Sequence, residues 1–335
     1  MKALLATSLF LLAAGPLDDI ALELSVEAGT KLTKTFTSNL ELELEGIDIT
    51  FTVGGEEHEV ESPDVSMTIR ESESLTFTDE YLVVDGGRAT KLQRHFDELT
   101  EQSGRDFTDP DGEDESEEEE GESDLEGQTV ILTWDGDAEE WSAAFAEVSS
   151  DGDTDLIGEI EDHADLVEFL PEGKVEVGAE WQVPVLAFSH LSSPSGELHL
   201  NTPSELEEPE DEAYEAQFEE NLAGEITAKL VSVEEGVATI ELTLELATHV
   251  ELEGESEEVG EDMEMESVRA MSFEFELEGA LVWNIDAGHA VSLQVGGDVK
   301  FVSTQTQSAD QGGESLEIVQ AQRFSGTLQL AAEFE

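Results

Sequence analysis

The run LELELEGIDITFTV, Leu40–Val53, alternates apolar and polar residues almost without a break. MSFEFELEGALVWNID (Met271–Asp286) does the same, as do GEITAKLVSVEEGVATIELTLELATHVELE and GTLQLAAEFE. Successive side chains of a strand point to opposite faces. A period of two therefore builds sheets with one face on a core and the other in water. Val, Ile, Thr and Phe fill these runs, and Gly or acidic pairs punctuate them. The expected fold is mainly β: an antiparallel curved sheet or half-barrel built from two similar β-rich halves with a short helical linker. Two β-sandwich-like halves are the alternative.

Charge follows from the same pattern. The chain carries 84 acidic residues against 13 basic ones, a net charge of −71 over 335 residues. Most of the Glu is the water-facing half of the alternation. Such a surface repels nucleic-acid phosphates and anionic lipid heads, so neither is expected as a partner. Weak, non-specific binding of divalent cations at many sites is the expectation for such a surface, and no cofactor is expected. There is no Cys, which excludes disulfides, thiolate metal sites, thiol catalysis and a lipid-anchored Cys.

The first residues, MKALLATSLFLLAAGPLDD, place one Lys before an apolar run and small residues after it. This reads as a signal peptide over residues 1–15 and implies an extracytoplasmic location: periplasmic, cell-surface or secreted. No later apolar run is long enough to span a bilayer as a helix. The expected divisions are a first β-rich half (16–150), a helical linker (151–192) and a second β-rich half (193–335). Within the first half, residues 101–126 are expected as a disordered acidic loop. DPDGEDESEEEEGESDLE has almost nothing to bury. The linker has helical spacing from Asp155 to Leu170, ending at Pro171. Further short helices are expected over Pro184–Leu191 and Ala213–Leu222.

Hairpin turns are expected at Asp85-Gly86-Gly87 and Asp286-Ala287-Gly288, where Gly supplies the positive φ of a tight turn. The two hairpins share five identities in nine positions (Asp85, Gly87, Ala89, Leu92 and Gln93 against Asp286, Gly288, Ala290, Leu293 and Gln294). Duplication of the halves and convergence of two hairpins explain this equally well.

One stretch resembles a calcium loop: DGDTDLIGEIED, with Asp151, Asp153, Asp155, Glu159 and Asp162 as oxygen donors. Leu156 stands where that loop needs Gly, and Asp162 where it uses Glu. The other reading is a turn, with Asp155 capping the next helix. Signatures of serine hydrolases, zinc proteases, phosphate loops and dinucleotide folds are absent. Basic residues concentrate in the strand after the first hairpin. Arg88, Lys91 and Arg94 there offer an anion-binding spot, or simply cations paired with acidic residues on the next strand.

LPEGKVEVGAEW contains a P-x-G-x-V-x-V-G-x-x-W phrase, Pro171–Trp181. The phrase resembles secreted β-rich bacterial envelope proteins that have no established activity and are distantly like curved-sheet lipid or lipoprotein carriers. The resemblance implies an envelope location. Together these features lead to the expectation of a non-catalytic extracytoplasmic envelope protein with a structural or binding role. The alternatives are a carrier of an apolar ligand in the concave face of the sheet and a carboxylate-based hydrolase.

Overall fold

The computed structural model describes residues 19–60, 62–63, 65–136, 140–146, 154–196, 198, 200, 211–254, 257–258, 264–311 and 314–335. The leader-like residues 1–15 lie outside them. The N-terminal half supplies β1 (Ile20–Ala21), β2 (Lys31–Val53), β3 (Glu56–Val60), β4 (Ser66–Asp85), β5 (Arg88–Thr108), β6 (Asp114–Glu122), β7 (Thr129–Asp135) and β8 (Glu140–Phe145). The connecting segment holds 3₁₀ turns at Thr154–Ile157 and Val167–Phe169, then β9 (Lys174–Val175), β10 (Glu180–Val183), α1 (Ala187–Ser192) and α2 (Asp211–Asn221). The C-terminal half supplies β11 (Ala223–Glu234), β12 (Val237–Glu253), β13 (Glu257–Glu258), β14 (Glu264–Asn284), β15 (His289–Gln311) and β16 (Glu314–Phe334).

The alternation becomes strands as expected. Along β12, Ala238, Ile240, Leu242, Leu244, Leu246, Thr248 and Val250 are buried, and Glu241, Glu245 and Glu251 face water. Both expected hairpins form, β4–β5 and β14–β15. Gly288 is required twice over. Its φ is +71°, and a Cβ there would collide with Ser25 Oγ, where the N-terminal segment crosses the turn.

The two halves share one antiparallel sheet. Its order is β10-β11-β12-β14-β15-β16-β2-β4-β5-β7-β8, with β3, β6 and β13 paired at its margins. The sheet is not closed into a barrel, and the seam between the halves is the long β16–β2 ladder. The observed fold is therefore the expected antiparallel, mainly β one, with one long sheet spanning both halves, beside a small β1–β9 pair, in place of two separate sandwiches. No helix of the described residues is long and apolar enough to cross a membrane, which says nothing about spanning by strands.

This topology dictates where the linker goes. The first half winds outward from β2 to the edge strand β8, and the chain re-enters the sheet at the opposite edge, through β10 of the connecting segment and then β11. The connecting segment must therefore cross a face of the sheet. It crosses the apolar one. Ile157, Ile160, Ala164, Leu166 and Phe169, followed by Ala187, Phe188, Leu191 and Leu198, join the core formed by the inward residues of the strands. Fully burying an Ile, Leu or Phe side chain of this set stabilises by roughly 1.5–3 kcal/mol.

Two expectations need correction. The helical reading of Asp155–Leu170 gives way to two 3₁₀ turns joined by irregular chain. Leu166 sits at φ 56° in the left-handed region, and the Glu161 and His163 amides donate outward, to the carbonyls of Ser195 and Pro194. Helical ladder bonds are replaced by bonds to the neighbouring loop. The acidic stretch 101–126 is likewise mostly strand. Residues up to Thr108 continue β5, and β6 pairs with it in the register Arg105↔Glu117. Composition misled because an added strand needs backbone partners rather than burial. β5 provides them, and Asp109 closes the turn by accepting from the amides of Asp111 and Glu113 at 2.9 and 2.8 Å.

Candidate functional site

Beneath the linker, three strands send polar residues into the core: Lys34 from β2, Asp79 and Tyr81 from β4, Arg94 from β5. The linker meets them with Asp162, Asp165 and Ser195. Lys34 and Arg94 are fully buried, as is Asp79. The Lys34 ammonium reaches Asp79 and Asp165, each at 2.7 Å. Arg94 grips Asp79 with two parallel bonds, Nε to Oδ1 at 2.8 Å and Nη2 to Oδ2 at 2.9 Å. Nη2 also donates to Asp162 at 2.6 Å, and Nη1 to Ser195 Oγ at 2.7 Å and the Glu161 carbonyl at 3.2 Å. All five guanidinium donors are thus engaged. The Tyr81 hydroxyl donates to Asp165, and the Phe77 ring lies 4.2 Å from the guanidinium.

Burial works against every charge in this cluster, and the partners decide each outcome. Burial would lower the Lys34 pKa, but Asp165 and Asp79 more than reverse it. Burial would raise Asp79, but Arg94 and Lys34 hold it below the usual carboxylate range. Asp162 goes the other way, pushed up by burial and by neighbouring Asp165. Two cations thus face three carboxylates. A buried network of this kind holds two elements in one arrangement, here linker to sheet.

Directly above, residues between those anchors build a second cluster. Imidazole rings of His163, between Asp162 and Asp165, and of His190, on α1, stack with centroids 3.5 Å apart and planes 9° from parallel. Glu168 touches both. Its Oε2 is 2.6 Å from His190 Nδ1, and its Oε1 is 3.9 Å from His163 Nδ1. Glu161 Oε2 lies 2.6 Å from His163 Nε2. The two rings are largely but not wholly covered, at 13% and 23% side-chain exposure, so the cluster opens to solvent. Burial would lower the His190 pKa, but the Glu168 carboxylate outweighs it and raises it. Glu161 is lowered by its hydrogen bond to His163.

The residues expected from sequence are dispersed. Asp151 and Asp153 lie outside the described residues. Asp155 falls in the first 3₁₀ turn, and Glu159 is exposed. Asp162 turns inward onto Arg94, so its carboxylate serves the core and not a calcium loop. The cationic spot also divides. Arg94 is buried and saturated. Arg88 lies over the Trp134 ring at 3.6 Å, and Lys91 stands in register with Val83 and Thr133. Arg94 is paired with Asp79 on β4, the strand before it in the hairpin, and with Asp162 on the linker. Asp79 directly opposite Arg94 was within reach of the sequence: counting outward from the Asp85-Gly86-Gly87-Arg88 turn brings the two together. The His163–His190 pair gave no such signal, because the two residues meet only through the fold of the linker.

A further acidic pair lies on the covered face. Glu73 of β4 stands directly opposite Glu101 of β5, and burial together with Glu101 pushes the Glu73 carboxyl up to about 7. The hollow beside it, lined by Phe36, Glu73, Leu75, Leu191 and Leu330, encloses about 10 Å³, which is room for about one water.

No family model and no curated protein matches the chain. The likeness to solved structures is weak, as three of them show. One is the type IV competence pilus secretin PilQ of V. cholerae, with 9% identity, a TM-score of 0.13, and 91% of this chain against 60% of that one. The beta domain of the Bordetella autotransporter Brka gives 9% identity and a TM-score of 0.13, covering 90% of this chain and 99% of that one. The Escherichia coli outer membrane protease OmpT gives 8% and 0.10, covering 92% and 99%. At these TM-scores none of the three carries an argument about fold or function.

Proposed function

We propose that the chain is a non-catalytic extracytoplasmic protein of the cell envelope with a structural or binding role. The observation that supports this most is the linker. On the apolar face of the sheet, where a carrier would hold its ligand, the chain's own Ile157, Ile160, Leu166, Phe169, Phe188 and Leu191 join the core, held there by the Lys34–Asp79–Arg94 network. The acidic pair Glu73–Glu101 is the observation favouring a carboxylate hydrolase, but the hollow beside it takes about one water, too little for a substrate. The proposed location rests on the leader-like residues 1–15.

Mass spectrometry of protein purified from its native cell tests both parts. The expected results are a new N-terminus between Ala14 and Asp18 and no stoichiometric lipid in an organic extract. One lipid per chain would favour the carrier, and an intact Met1 on a cytoplasmic pool would contradict the location.

A further inference from the structure

Going beyond that reading and independent of it, we propose that His163, Glu168 and His190 form a binding site for one divalent transition-metal ion of the zinc class, with Glu161 on the far nitrogen of His163 as an outer-shell partner. One atom from each of the three lies within 4.8 Å of the others. Imidazole and carboxylate are the donors that Zn²⁺, Ni²⁺ and Cu²⁺ accept, and two imidazoles set the site apart from one built for Ca²⁺ or Mg²⁺. A tetrahedral zinc shell, with bonds of about 2.0–2.1 Å, spaces its ligand atoms about 3.3 Å apart. The rings now stack almost parallel, so closing on an ion takes a substantial rotation of the side chains out of the stack until their lone pairs converge. Both rings are partly exposed on one side.

The cluster also differs from chance contact among surface carboxylates. Its backbone is fixed from below. Asp162 and Asp165, flanking His163, are tied to Arg94, Lys34 and Tyr81. The amides of Glu161 and His163 bond the loop 194–195 that follows α1, and α1 carries His190 between buried Ser189 and Leu191. Both histidines therefore stand on one rigid platform, which is what a preorganised metal site requires. The ion would take the place of the proton between His190 Nδ1 and Glu168 Oε2, releasing it to solvent. Arg88 lies close enough to act on the Glu168 charge, and its seat on Trp134 keeps it to one side.

Because the whole surface is acidic, the test must separate one site from a diffuse field. Calorimetric titration of the full chain with zinc chloride should be run in about 0.15 M sodium chloride, where exposed charges are screened beyond about 8 Å, with millimolar magnesium present. The expected result is saturation at one equivalent. Removing even an outer-shell partner costs metal sites about 10–100-fold, so His163→Ala and His190→Ala should each weaken binding at least about tenfold. His249→Ala, on an exposed position of β12, should leave it unchanged. Cobalt(II) should give visible absorption bands with the parent chain and lose them with His190→Ala. Glu168→Gln, which keeps the shape, decides the matter if a histidine variant fails to fold. Weak binding at many sites that salt abolishes, or a single site unaffected by both histidine changes, would overturn the assignment.

Discussion

Replacing Arg94 with Met is expected to destabilise the protein by about 3–5 kcal/mol, the cost of breaking a buried ion network from one side. Among the described residues, the guanidinium is the group that bonds both Asp79 on the sheet and Asp162 on the linker. Without it, Asp162 has no cation in contact among the described ion pairs, and Asp79 keeps only Lys34. Arg94→Lys should recover only part of the loss, because one ammonium cannot make the two parallel bonds to Asp79 while reaching Asp162, Ser195 and Glu161. The pH dependence carries a second signature. In the parent chain Asp79 is held below its ordinary range, so its contribution is present above the unfolded value of about 3.9 and is lost as pH falls through the folded value. In the variant, burial raises both carboxylates. They then protonate at higher pH and shed the uncompensated charge, so the deficit shrinks toward acid. Urea unfolding across pH measures both effects. Guanidinium chloride is the wrong denaturant for a chain of charge −71, since it screens the self-repulsion as it unfolds.

Phe188→Ala should cost a similar amount, about 3–5 kcal/mol. Phe188 is 2% exposed on the inner side of α1 and packs against Phe275 of β14, ring centroids 4.9 Å apart. It pins the linker to the C-terminal half, as Arg94 pins it to the N-terminal half. Truncation leaves a cavity against a sheet that cannot collapse to fill it. Phe188→Leu, which keeps most of the volume, should cost less than about 1.5 kcal/mol. If both substitutions were near neutral in urea unfolding, the linker would not be part of the cooperative core. Arg94 and Phe188 hold the linker to different halves and have different partners, so their losses should add.

How far the fold could be read in advance depended on the range of the contacts. Leu40–Val53 and Met271–Asp286 announce strands because alternation is local, and the Gly-bearing turns announce hairpins for the same reason. α1 and α2 appear close to the expected places. The linker could not be read, since its conformation answers to residues far along the chain. Asp162 and Asp165 look like calcium ligands or helix residues until Arg94, Lys34 and Tyr81 stand beneath them. His163 and His190 look scattered until the loop following α1 brings them face to face. The acidic strand β6 erred in the other direction: its composition argued for disorder, and backbone pairing with β5 decided otherwise.

The linker is an integral part of the core, packed on the apolar face of the sheet. Native-state hydrogen exchange reads this most directly. The amides of Glu161, His163, Phe169 and Leu170, bonded within the linker or to the loop beside it, should exchange as slowly as those of β2 and β5, through global unfolding alone. Fast exchange in the linker over a slowly exchanging sheet would show a cover that opens by itself, and would make the apolar face available to a ligand after all.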